Sequence, residues 1–165
     1  MPQEWFKSNE SIALNAAEFV ISFTEGSAHC DIVKDAIRRT KRNIFLEPSL
    51  QIPRVSPMLA ELKIRIEDLS CGYPKFGDKE NYTIEIPGDG DAAILTAETV
   101  WSVVRGLETF TQLIWQDKDK HYRINKTSIR DWPEYKYRGL LLDTSRHFVP
   151  VKTLLENLVR TEQLI

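Results

Sequence analysis

Residues 138–147, Arg-Gly-Leu-Leu-Leu-Asp-Thr-Ser-Arg-His, constrain this chain more than any other stretch. Leu140, Leu141 and Leu142 form an unbroken apolar run behind a charged entry, the pattern of a strand buried on both faces in a parallel sheet. Asp143, Thr144, Ser145, Arg146 and His147 follow at what would be the strand's carboxyl end, where a β/α barrel assembles its active site. Pro150 fits the first turn of a helix, and Val151, Leu154, Leu155 and Leu158 recur at helical spacing. One βα unit is expected. A barrel requires eight, and the sequence ends at Ile165.

The preceding residues therefore have to supply a core of their own. With 42% hydrophobic and 28% charged residues the composition is that of a soluble globular protein, and a net charge of −2 argues against a nucleic-acid footprint. No apolar run approaches the roughly 18 residues of a membrane-spanning helix. Met1-Pro-Gln-Glu-Trp5 is neither basic nor followed by an apolar core, so no signal peptide is read, which by itself points to the cytosol. Other residues point elsewhere. Cys30 and Cys71 belong to no CxxC pattern, so no metal site is expected; they fit either two buried thiols or one disulfide closing a loop of about 40 residues. Asn9-Glu-Ser, Asn81-Tyr-Thr and Asn125-Lys-Thr are N-glycosylation sequons unblocked by proline.

Ala17–Thr24 reads as a strand ended by Glu25-Gly26-Ser27. Asp31 and Asp35 open a helix that Arg38, Arg39, Lys41 and Arg42 close, an order that suits the helix dipole better than a phosphate site. Ile44 to Pro57 is expected to be a loop. Glu61–Glu67 and Tyr82–Ile86 alternate as half-buried strands, and Pro87–Asp91 turns the chain into Ala92–Leu95. That Asp-rich turn lacks the spacing of a calcium loop. A helix is expected from about Ala97 to Trp115 with Thr96 as N-cap, Val100, Val103, Val104, Leu107, Phe110 and Ile114 on its inner face, and Gly106 marking the close approach of another backbone. Trp101 and Trp115 could stack sugars but are read as packing residues. His121–Asn125 makes a last strand before Asp131-Trp-Pro133. The fold class is α+β: an antiparallel sheet with helices on one face, over residues 1–132, followed by the first βα unit of an incomplete (β/α)8 barrel over 133–165.

Ala97-Glu-Thr-Val-Trp-Ser-Val-Val-Arg-Gly-Leu-Glu-Thr-Phe-Thr-Gln-Leu-Ile-Trp115 and Tyr137-Arg-Gly-Leu-Leu-Leu-Asp-Thr-Ser-Arg-His-Phe-Val-Pro150 resemble the β-N-acetylhexosaminidases of glycoside hydrolase family twenty, and more narrowly the animal lysosomal type. Ile124-Asn-Lys-Thr127 lies between the two motifs, in the same order as in that family. The resemblance covers Cys30 to Leu158. It implies a disulfide between Cys30 and Cys71, glycans at Asn81 and Asn125, and a lysosomal or secreted protein whose amino end is incomplete here; Asn9 stands as a further acceptor on its sequon alone.

It also implies an exo-hydrolase without a cofactor that removes terminal N-acetylhexosamine from glycoconjugates by substrate-assisted retention. In such an enzyme the sugar's own acetamido oxygen attacks the anomeric carbon, an Asp orients that group, and the next residue, a Glu, protonates the leaving oxygen. No Asp in these 165 residues is followed directly by Glu. No catalytic residue is therefore assigned, and Asp131, Glu134 and Asp143 are not promoted to the role. Arg138 alone matches a sugar-binding position, and its guanidinium offers five donors in a fixed fork for adjacent hydroxyls. Asp143, Arg146 and His147 are expected to hold the βα turn together. After Leu158 the sequence leaves the family pattern, as a truncated or misspliced product would. The alternative to an enzyme fragment is thus a non-catalytic product that is unstable or associates with full-length subunits. A homo- or heterodimer is implied only through the full-length protein, and the loops that separate gluco from galacto substrates are missing.

Overall fold

The computed structural model describes residues 2–14, 16–24, 30–46 and 57–161. It divides into two compact units, Met1–Pro133 and Glu134–Ile165. The expected turn at Glu25–Ser27 and most of the expected loop from Ile44 to Pro57 lie outside the described residues.

The elements of the first unit are β1 (Glu4–Leu14), β2 (Val20–Phe23), α1 (Asp31–Ile44), β3 (Met58–Leu59), β4 (Glu61–Asp68), β5 (Tyr82–Ile86), β6 (Ala93–Thr99), α2 (Val100–Leu113), β7 (Ile114–Gln116) and β8 (Tyr122–Asp131). The strands form one sheet in the order β2-β4-β6-β5-β8-β1-β3, with β7 also pairing β8. The sheet is mixed rather than antiparallel. β5–β6, β5–β8, β1–β8 and β7–β8 are antiparallel, whereas β2–β4, β4–β6 and β1–β3 are parallel. The reason lies in connectivity: α1 intervenes between β2 and β4 and carries the chain back to the end from which β2 started, which sets the two strands running the same way. Side-chain alternation reports which face is buried and carries no information on direction.

That alternation packs one face. Leu62 and Ile64, Ile84 and Ile86, Ala93, Leu95 and Ala97, and Ile124 and Ile129 share a core with Val33 and Ala36 of α1 and with Val100, Val103, Leu107 and Phe110 of α2. Burying each larger aliphatic side chain stabilises the unit by roughly 1.5–3 kcal/mol. Phe19 stacks on Phe110 at 6.0 Å, and Phe45 meets Tyr122 edge-on at 5.1 Å, closing one end of this core. Arg65, Glu85 and Ile94 sit on the open face.

Element boundaries differ from expectation: β8 runs on to Asp131 rather than ending at Asn125, and α2 stops at Leu113, with Ile114–Gln116 extended as β7. α2 begins at Val100, not near Ala97, because Ala93–Thr99 is held in the sheet by β4 on one side and β5 on the other. Its cap is accordingly Thr99 rather than Thr96. Thr99 Oγ1 accepts from the Ser102 N–H at 3.2 Å while Ser102 Oγ accepts from the Thr99 N–H at 3.3 Å, a reciprocal box that satisfies two otherwise unpaired donors. β1 was not expected at all. Its first residues are polar or exposed and a register irregularity between Lys7 and Ser11 breaks the period, so only the β8 ladder and the buried Ile12–Leu14 identify it.

In the second unit, α3 (Val151–Thr161) forms where helical spacing placed it. Pro150 stands just before it, its carbonyl accepting the first helical bond from the Leu154 N–H at 3.1 Å. The expected strand at Leu140–Leu142 is not formed: these leucines are 77%, 91% and 57% exposed and lie in no strand. A strand patterned for the centre of a parallel sheet needs a neighbour on each side, and none pairs with it among the described residues.

Candidate functional site

The residues singled out from the sequence fall in both units, which are taken separately. In the second, Arg138 is exposed and donates from Nη1 to the Tyr135 carbonyl at 2.8 Å. Asp143 organises its own turn. Its Oδ1 accepts from the backbone N–H groups of Ser145 (2.8 Å) and Arg146 (3.2 Å), and its Oδ2 lies 3.2 Å from Arg146 Nε. Asp143 and Arg146 are therefore brought together as a turn-stabilising pair, while His147 is exposed beside them.

In the first unit Cys30 and Cys71 are bonded, which resolves the choice between thiols and disulfide. The bridge joins the residue that precedes α1 to the segment after β4. The three sequons have different surroundings. Asn9 is exposed at the irregularity of β1, and Asn81 is exposed immediately before β5. Asn125 is half-buried in β8: its Nδ2 donates to the Ser8 carbonyl at 3.0 Å and its Oδ1 accepts from Trp115 Nε1 at 3.1 Å. A glycosylated amide keeps one N–H, and the Ser8 bond would require it.

Two polar arrangements were not legible beforehand. The Tyr82 hydroxyl donates to Asp131 Oδ2 at 2.7 Å and lies 2.6 Å from Thr109 Oγ1, while Asp131 Oδ1 accepts from the Gln3 N–H at 3.0 Å. Burial, together with the acceptor carboxylate of Asp131, pushes the Tyr82 phenol well above its ordinary range. It therefore stays protonated and clamps β5 to α2 and to the end of β8. In the β7–β8 turn, Asp117, Asp119 and His121 bring ligand-type atoms within 4.8 Å of one another. Asp117, however, accepts from Arg123 Nε at 2.7 Å and from the backbone N–H groups of Asp119 (2.9 Å) and His121 (3.0 Å). These bonds, the Arg123 guanidinium above all, hold its carboxyl at about 2, and they describe a wired hairpin turn. Tyr82 had signalled only strand alternation and Asp131 only a boundary.

A groove of about 440 Å³ opens at the end of the sheet where β4, β6 and β8 finish and β5 begins. Asn81, Thr83, Thr96, Glu98, Arg130 and Trp132 line it. The Arg130 guanidinium lies over the Trp132 ring at 5.6 Å. No described helix is long and apolar enough to cross a membrane.

The family model described as "beta-acetyl hexosaminidase like" matches residues 1–113. The beta-hexosaminidase subunit alpha of Rattus norvegicus is 35% identical over 166 residues, covering 95% of this chain and 31% of that protein. The beta-hexosaminidase subunit beta of Mus musculus is 35% identical over 161 residues, covering 88% of this chain and 28% of that one. Among solved structures, the chitobiase of Flavobacterium johnsoniae superposes with a TM-score of 0.71 at 23% identity, over 95% of this chain and 24% of that chain, a likeness of fold. The chain thus spans somewhat under a third of the length of these curated relatives. It belongs to the beta-acetyl hexosaminidase-like family and corresponds to the amino-terminal portion of the animal type.

Proposed function

We propose that this chain is the amino-terminal part of a β-N-acetylhexosaminidase, with residues 1–132 as the small domain that precedes the catalytic barrel and 133–165 as the opening of that barrel. The whole enzyme removes terminal N-acetylhexosamine from glycoconjugates by substrate-assisted retaining hydrolysis. The observation that carries this reading is the match to both hexosaminidase subunits across most of this chain but under a third of theirs. Within the shared region Arg138 is the residue suited to substrate: its guanidinium grips sugar hydroxyls from the floor of a pocket. The general acid and the acetamido-orienting carboxylate are supplied from outside these 165 residues, so the chain alone does not hydrolyse a glycoside. The disulfide and the three sequons support passage through an oxidising compartment and a lysosomal or secreted destination.

Hydrolysis of a chromogenic N-acetylglucosaminide tests the reading. A longer product carrying the barrel is expected to be active and the 165-residue chain inactive, and Arg138→Ala in the longer form is expected to raise KM. Turnover by the short chain would overturn the assignment of the missing acid. A second reading, a non-catalytic product that associates with full-length subunits, is favoured by the apolar side chains exposed between Tyr137 and Leu158. It requires co-purification of the two forms.

A further inference from the structure

We propose that the groove beside Asn81 seats the first sugars of an N-linked glycan carried on Asn81 itself. The inference rests on the secretory reading above and goes beyond it by giving that glycan a site in the fold. Asn81 is an exposed sequon asparagine and at the same time part of the groove's wall, so a sugar joined to its side chain starts at the groove. The volume of about 440 Å³ lies within the about 300–1,000 Å³ of small-molecule sites.

The lining has the chemistry of sugar recognition. Thr96, Glu98 and Arg130 present hydroxyl, carboxylate and guanidinium groups to sugar hydroxyls, and Trp132 offers an aromatic surface to the apolar face of a pyranose. Glu98 Oε2 is shielded from solvent and ion-paired with Lys79 Nζ at 3.4 Å, which anchors this carboxylate in the groove wall. The Arg130 guanidinium lies 5.6 Å from the centre of the Trp132 ring, which keeps the cation and the aromatic group together on one wall.

The covalent step uses a lipid diphosphate-linked oligosaccharide as donor. A bond forms between Asn81 Nδ2 and the anomeric carbon of N-acetylglucosamine, the bond from that carbon to the diphosphate oxygen breaks, the diphosphate leaves with the electron pair, and a transferase base takes one Nδ2 proton. Thr83 is both the hydroxyl residue of the sequon and part of the groove wall, so it is left unaltered in the test.

The chain is produced in mammalian cells behind an added secretory leader, and site occupancy is read by mass spectrometry. Native protein is then treated with a peptide N-glycosidase, and release from Asn81 is timed against release from Asn9. Release from Asn81 is expected to be about tenfold slower in the folded protein and equal after denaturation, tenfold being about 1.4 kcal/mol of contact. Trp132→Ala and Glu98→Gln should each bring the Asn81 rate toward that of Asn9, and the second keeps the test open if the first fails to fold. Equal native rates, or a slow rate that neither variant moves, would overturn the cradle alone. Sugar at Asn9 but not at Asn81 would also overturn it, and an absence of sugar at all three sequons despite the leader would remove the glycoprotein reading with it.

Discussion

Asp117 shows how a single carboxylate in this chain reads differently as a letter and as a group in space. In the sequence it belongs to an unremarkable Asp-Lys-Asp-Lys-His run; in the fold it organises the β7–β8 turn, with Arg123 as its main partner. Its folded pKa is about 2, below the value of about 3.9 in an unfolded chain, so the unfolded state binds the proton more readily. The stabilisation is therefore present above about pH 4 and is lost as pH falls through about 2. Acid titration of stability should show wild type and Asp117→Asn separated near neutral pH and converging between about pH 4 and 2. A constant gap would mean that Asp117 acts by shape rather than charge. Gly106 was legible as a close approach, but the expected neighbour, another backbone, is not what the structure shows. The neighbours are the Leu95 side chain and the Tyr82 ring. Overpacking costs about 1–3 kcal/mol and Ala gains about 1 kcal/mol of helix propensity, so Gly106→Ala should lower stability by about 1 kcal/mol in urea denaturation. A stabilised variant would show that Leu95 swings aside.

At the scale of elements, the sequence carried most where burial on one face imposed a period. β4, β5 and the inner faces of α1 and α2 were readable from Leu62-x-Ile64, Ile84-x-Ile86 and the recurring apolar residues of the helices. It carried least where pairing partners decide. Thr96–Thr99 was read as a helix start, yet ladders on both sides keep it extended until the Thr99–Ser102 box becomes available. β1 has almost no period of its own and exists because β8 pairs with it. The same holds for the groove, whose lining comes from β4, β5, β6 and β8 and has no local signature. The Cys30–Cys71 bridge crosses elements in another way, fastening the start of α1 to the segment after β4 with a sequence separation of 41. Closing a loop of that size should stabilise the fold by about 3–4 kcal/mol through the unfolded chain. Urea denaturation with and without reductant measures this, and an unchanged midpoint would show that the loop is already restrained when reduced.

The two units differ as wholes in what they bury. Residues 2–133 enclose a continuous core in which Val33, Leu62, Ile84, Leu95, Val103 and Phe110 are fully buried. In the second unit Leu141 is 91% exposed and Phe148 88%, with Val151, Leu155 and Leu158 exposed along α3. Its sequence is patterned for a buried strand and an amphipathic helix, and the pattern was readable because it specifies a setting that the described residues do not provide. Among the described residues every member of this core lies before Pro133, which has a consequence for truncation. A chain ending at Pro133 should keep the cooperative unfolding midpoint of the 165-residue chain to within about 0.5 kcal/mol, the range of changes that touch no core. The longer chain should show concentration-dependent light scattering and dye binding that the shorter one lacks, because large exposed apolar patches drive association. If removing 134–165 instead collapses the transition, those residues contribute to the stability of the first unit, and the division of the chain near Pro133 would not be one of independent folding.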